Sequence, residues 1–196
     1  KEVNNLATKV GRGFEAVGSK LTTAGKTLTT VVTTPIVGLG TVAIKTGIEF
    51  ESAFAGVRKT IDATEEEFKE LSVGIKEMSK VMPQSASEIA AVAEAAGQLG
   101  IKTENVLEFT KTMVMLGDAT NMSSGEAATA LARLANITQM PQTEFDKLGS
   151  VVVELGNNLA TTERDIVDMG LNLAAAGSQV GMTEAQILGF AGALSS

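Results

Sequence analysis

The triplet Gly25-Lys26-Thr27, within KLTTAGKTLTT at residues 20–30, has the plainest chemical precedent in this sequence, because loops that cradle nucleotide phosphates end in Gly-Lys-Ser/Thr. Such a loop follows a strand and carries a first glycine five residues before the second, so that successive backbone N–H groups converge on the phosphates. Lys20 holds that place, Gly18 lies two residues too early, and no strand-like stretch precedes. The triplet reads as helix. Thr23 to Lys26 spells T-x-x-K, a loose likeness to Ser-Lys hydrolase chemistry, but Thr stands for Ser and the companion motifs are missing. Glu65, Glu66 and Glu67, or Asp165 with Asp168, are candidate paired carboxylates. Each group falls in the first turn of an expected helix, where acids offset the positive end of the helix dipole, and that reading needs no active site. The serines of MSSGEA cannot join a triad, since the chain has no His, and Ser123 reads as a helix cap. With no Cys either, thiolate nucleophiles and the usual zinc sets are excluded. The expectation is a protein with no catalytic residue, no cofactor and no metal site.

The elements that would have to position any such site are themselves unusual. Of 196 residues 44% are apolar, with no Trp or Tyr and seven Phe, so a core must come from Ala, Leu, Val, Ile and Met. The eight Met residues read as core filler in a chain poor in aromatics. Net charge is −7 but uneven, +4 over residues 1–60 and −11 over 61–196. Eight basic residues spread over the first sixty positions without interleaved aromatics make a poor nucleic-acid footprint, and no sequence-specific nucleic-acid partner is expected. Lys1 in place of an initiator Met, and the unfinished apolar pattern of AQILGFAGALSS, read as a piece of a longer protein.

Three stretches follow. Over residues 1–34, Val3, Ala7, Val10, Phe14, Val17, Leu21, Ala24, Leu28 and Val31 alternate steps of four and three, a heptad seam for helix association. β-Branched residues at its d positions favour self-association of three or more copies. Gly11, Gly18 and Gly25, seven apart, draw a smooth stripe beside the seam that would let another backbone approach closely. Three interior glycines also cost about 2–3 kcal/mol of helix stability, so the alternative is a loosely helical or disordered terminus. Residues 35–62 form an apolar connecting helix, expected from Ile36 to about Thr60 after a break at Pro35. Residues 31–48 contain one charge, Lys45, but their Thr, Gly and Pro make a weak membrane span.

Residues 63–196 are expected to be an acidic helical domain. N-cap signatures recur about every twenty residues: Thr64 with Glu67, Ser85 with Glu88, Ser123 with Glu126, Thr162 with Asp165 and Thr183 with Gln186. Thr103 and Thr143 fall on the same beat without the reciprocal Glu or Gln of a capping box. Gly100, Gly117, Gly156, Gly177 and Gly181 lie near helix ends, where left-handed C-caps favour glycine. The sum is about seven short helices and no strand, an all-α protein. AAGQLGIKTENVLEF (95–109) is echoed by AAGSQVGMTEAQILGF (175–190), which reads as two copies of a helical unit.

The run LTTAGKTLTTVVTTPIVGLGTVAIKTGIEFESAFAGVRKTIDAT, with AAGQLGIKTE and AAAGSQVGMTEAQ, resembles the conserved core region of tape measure proteins of long-tailed bacteriophages or prophages, from about Val17 to the end. None of these motifs is catalytic. The resemblance implies a long, mainly helical, multi-copy structural protein of the tail, at the tube lumen or the tail tip. It implies a length that sets tail length, scaffolding of the tube and release during DNA ejection. It also implies contact with the tail tube protein, tail assembly chaperones and distal tail-tip proteins, and residence in the host cytoplasm during assembly. Two rivals remain: a membrane-active module that touches the host membrane transiently through residues 31–48 during genome delivery, and a cell-wall hydrolase, for which no motif is present.

Overall fold

The computed structural model describes residues 34–196, and the seam residues Val3 to Val31, the glycine stripe and the Gly-Lys-Thr triplet lie outside the described residues. The chain divides into two units, residues 1–48 and 49–196. Every regular element among the described residues is helical, as the sequence led us to expect. Helix α1 spans Thr34–Thr60, and its residues from Glu49 onward belong to the second unit. The expected break at Pro35 falls at the edge of the described residues.

The second unit continues with seven α-helices: α2 (Glu65–Val81), α3 (Ala86–Gln98), α4 (Val106–Ala119), α5 (Ser124–Thr138), α6 (Phe145–Asn158), α7 (Glu163–Gln179) and α8 (Glu184–Ser195). Local chemistry fixes their starts. Thr64, Ser85, Ser123 and Thr183 each form a complete capping box with the Glu or Gln three residues on, so that two amides without helical partners are satisfied at each start. Thr162 accepts from the Asp165 N–H but lacks the reciprocal bond. At Thr103 and Thr143 no side-chain cap forms, although Asp146 stands three residues after Thr143, and a 3-10 turn, Thr103–Asn105 or Gln142–Glu144, leads into the helix instead.

Helices α3 to α8 form three successive pairs. In each pair the first helix ends in the same turn: Ile101 N–H donates to Ala96 C=O at 3.0 Å, Met140 to Ala135 at 2.9 Å and Met182 to Gly177 at 3.0 Å. The residue before each donor, Gly100, Gln139 or Gly181, is left-handed, with φ of 77°, 61° and 80°, as a Schellman-type stop requires. The echoed segments 95–109 and 175–190 are thus the turns of the first and third pairs, with the second pair between them. In the second helix of each pair the buried apolar residues recur every 39 residues: Phe109, Leu148 and Ile187, then Met113, Val152 and Ala191. In the first helices the residues four and five after the cap are buried: Ile89 and Ala90, Ala127 and Ala128, Ile166 and Val167.

Packing follows this period. Helices α3, α5 and α7 stack in one row and α2, α4, α6 and α8 in the other, with the rows joined between α2 and α3, α3 and α4, α4 and α5, α6 and α7, and α7 and α8. One continuous core runs between the rows, from Phe50 to Leu188. Met113 and Met122 are buried in it and Met78, Met82 and Met140 pack against it, but Met115 is exposed, so the methionines are only in part core filler. The first end of the core is closed by α1. Phe54 meets Phe68 of α2 edge to face at 6.4 Å between centroids, and the Arg58 guanidinium lies 4.6 Å from the Phe68 ring centre.

Three glycines do not play the part expected of them. Gly117, Gly156 and Gly177 lie inside helices rather than at left-handed caps, which only Gly100 and Gly181 of the five provide. Their role is close approach. A Cβ on Gly117 would stand 2.7 Å from the Ser124 backbone nitrogen, one on Gly156 would meet the Glu163 side chain, and one on Gly177 would stand 2.8 Å from Ile187 Cγ1.

Candidate functional site

Several of the carboxylates, Glu65 and Glu67 among the candidate group, are drawn toward their charged form. Glu67 accepts the Thr64 N–H at 2.7 Å and the Thr64 hydroxyl at 2.8 Å, and these bonds hold its carboxyl below the usual range. Glu88 is lowered in the same way by the Ser85 hydroxyl and N–H. Glu65 takes both arms of Arg58, at 2.7 and 2.9 Å, which lowers it too. A general acid at neutral pH needs the opposite shift, from burial or a neighbouring like charge. Asp165 accepts the Thr162 hydroxyl at 2.6 Å, and Asp168 lines an open groove one turn further on. Of the acidic residues that look like catalytic pairs, Glu65, Glu67 and Asp165 therefore serve as clasp and caps.

The strongest of these sites joins two helix pairs. The Arg164 guanidinium, in the first turn of α7, donates from both terminal nitrogens to the two oxygens of Glu126, each at 2.8 Å, and also to the Asn121 C=O at 3.3 Å. The Arg164 backbone N–H is itself satisfied by the Asn121 side-chain oxygen at 3.3 Å. Glu126 at the same time accepts from the Ser123 N–H and hydroxyl, each at 2.8 Å. Its carboxyl is pushed down to about 2, first by the Arg164 hydrogen bonds and then by Ser123. Sequence reasoning found Glu126 and missed Arg164, although a signal was there. A cation in the first turn of a helix faces the positive end of the dipole, so Arg164 there implies a carboxylate from elsewhere in the fold.

Beside this clasp, α5 and α7 leave an open groove of about 580 Å³ lined by Arg133, Asn136, Ile137, Asp168, Leu171 and Asn172. A second depression, around Met122, Thr129 and Arg164, shares Arg133, Asp168 and Leu171 with it. Both are shallow and of mixed polarity, suited to a protein surface rather than to enclosing a small molecule. No cluster of metal-ligating side chains occurs among the described residues. No described helix is long and apolar enough to cross a membrane.

Comparison with known proteins extends this picture. Residues 72–196 match the family described as phage-related minor tail protein. The chain is 27% identical over 168 residues to the tape measure protein of Pneumococcus phage Dp-1, covering 86% of this chain and 14% of that protein. It is 24% identical over 156 residues to a probable tape measure protein of Halomonas phage phiHAP-1, covering 73% of this chain and 18% of that one. The chain thus spans less than a fifth of either relative. No solved structure matches. These matches agree with the resemblance read from the motifs.

Proposed function

Since the chain belongs to the phage-related minor tail proteins, we propose that it is a non-enzymatic segment of a tape measure protein, which sets tail length, scaffolds the tail tube and leaves the tail during DNA ejection. The observation that carries this reading is the likeness to a tape measure protein over 86% of the chain. The geometry supports it, because Glu65, Glu67, Glu88 and Glu126 serve caps and clasps and the helix pairs repeat on a fixed period, as a packing module requires. In this reading residues 1–34 self-associate through the seam from Val3 to Val31, in three or more copies. The acidic helical unit docks on other tail components, of which the tube protein, the assembly chaperones and the distal tip proteins are the expected ones. The protein resides in the virion tail, in the tube lumen or at the tip, and in the host cytoplasm while tails assemble.

The test is an in-frame duplication of Ser123 to Thr161, one complete helix pair, in the parent gene, with tail lengths measured by electron microscopy. Tails that lengthen would support a measuring role for this segment. Normal tails of unchanged length would remove it from the ruler and leave a docking role at one end of the tail. Self-association has its own check: Leu21→Asp with Leu28→Asp should turn an oligomer into a monomer in sedimentation, and a native chain already monomeric at high concentration would refute the seam.

A further inference from the structure

Along the row α4, α6 and α8, equivalent residues lose their cover step by step. Leu116 on α4 is 3% exposed, Leu155, 39 residues on in α6, is half-buried, and Leu194, 39 further in α8, is 54% exposed. Thr112 and Val151 are half-buried, and their equivalent Phe190 is 52% exposed. The next helix of the row is what covers the earlier positions. Gly149 of α6 faces α4, where a Cβ would stand 3.1 Å from the Thr112 methyl and 3.3 Å from a Leu116 methyl. Leu188, 39 residues after Gly149, is fully buried on α8. Phe190 and Leu194 share one helix face, four residues apart, and keep the apolar character of covered positions where no described helix covers them.

A repeat that closes an array presents a polar outer face. Here the two ends differ. At the first end the rings of Phe50, Phe54 and Phe68 are buried, with Arg58 over Phe68 and Lys76 over Phe50. The α8 end has no such cover among the described residues. We propose that Phe190 and Leu194 are the docking face for one more helix of the same row, supplied by the continuation of the same polypeptide and packed in the 39-residue register. Its contacting face would present a small apolar residue, as Gly149 does toward α4. The relatives are long enough to supply it, since this stretch is 14% and 18% of their length. A second copy of the chain is the poorer occupant, because the end it would have to offer is already closed by α1. This inference rests on the packing and on the length of the relatives, and does not depend on a role in tails.

The test places a photo-crosslinking benzoyl-phenylalanine at Phe190 in the full-length parent polypeptide, with light and isotopically heavy copies mixed, and identifies the joined peptides by mass spectrometry. An intrachain crosslink to an apolar helical peptide beyond residue 196 is expected. A light-to-heavy crosslink, a crosslink to a different protein, or none would overturn the proposal. A second reading uses Phe190→Ser with Leu194→Ser. The melting temperature of the 196-residue chain should not change, while proteolysis just beyond residue 196 in the full-length polypeptide should accelerate at least tenfold. Unchanged proteolysis would overturn it as well.

Discussion

Arg164 grips both carboxylate oxygens of Glu126 at 2.8 Å, although the two residues begin different helix pairs. The acid that caps α5 is thereby held by the first turn of α7, and the register between neighbouring pairs is set by a bidentate bond of directional geometry.

Acid should loosen this clasp. The Glu126 carboxyl sits at about 2 in the folded chain, against an ordinary value of 4.5. A depressed carboxylate contributes its full stability above its unfolded value and loses it as pH falls through the window down to the folded one. The lowered Glu65, Glu67 and Glu88 act in the same direction. The melting temperature should therefore fall between about pH 5 and pH 2, and Glu126→Gln should flatten part of that fall. Equal slopes in the two proteins would show that the clasp carries no stability.

The caps should be worth more where the box is complete. Ser85→Ala removes a hydroxyl that accepts the Glu88 N–H and should cost about 1 kcal/mol, or roughly 2–4 °C in a chain of this size. Thr143→Ala, in the 3-10 turn that has no side-chain cap bond, should shift melting by less than about 1 °C. Thermal denaturation followed by circular dichroism separates the two.

That contrast also marks what the sequence makes legible. Capping is chemistry between residues three apart, so Thr64 with Glu67 or Thr183 with Gln186 can be read from the order of letters. The turn at Gln139 could not be, since a residue other than glycine takes the left-handed conformation there. Nor could the clasp between Glu126 and Arg164 or the close approach at Gly117, because their partners are chosen by packing between helices. The glycines near helix ends looked alike in sequence and divided in the structure by what lies opposite them.

Two of those glycines give opposite expectations. Gly117→Ala would push a methyl toward the Ser124 backbone, and separating α4 from α5 should cost about 1–3 kcal/mol. Gly189→Ala, inside α8 with nothing within 4 Å of the new Cβ, should stabilise by about 0.5–1 kcal/mol through helix propensity. Urea unfolding of both variants decides, and destabilisation at Gly189 would contradict the open face of α8.

The core should be least forgiving at the aromatic contact between α4 and α6, neighbours in one row. Phe109 is 1% exposed and meets Phe145 edge to face at 4.7 Å. Phe109→Ala should cost about 3–5 kcal/mol, whereas Val81→Ala, at a residue 83% exposed, should stay within about 0.5 kcal/mol of the native chain. A loss at Phe109 below about 2 kcal/mol would mean that α4 and α6 repack around the gap.

The 39-residue period also has a mechanical meaning. Because the main packing joins each helix pair to its neighbours, the described helices α3 to α8 are a zipper whose teeth are single pairs, which can be pulled from the α8 side. Under tension applied there, the chain should give way one tooth at a time rather than all at once. Each tooth set free would lengthen the polypeptide by about 130 Å, at roughly 3.4 Å per residue.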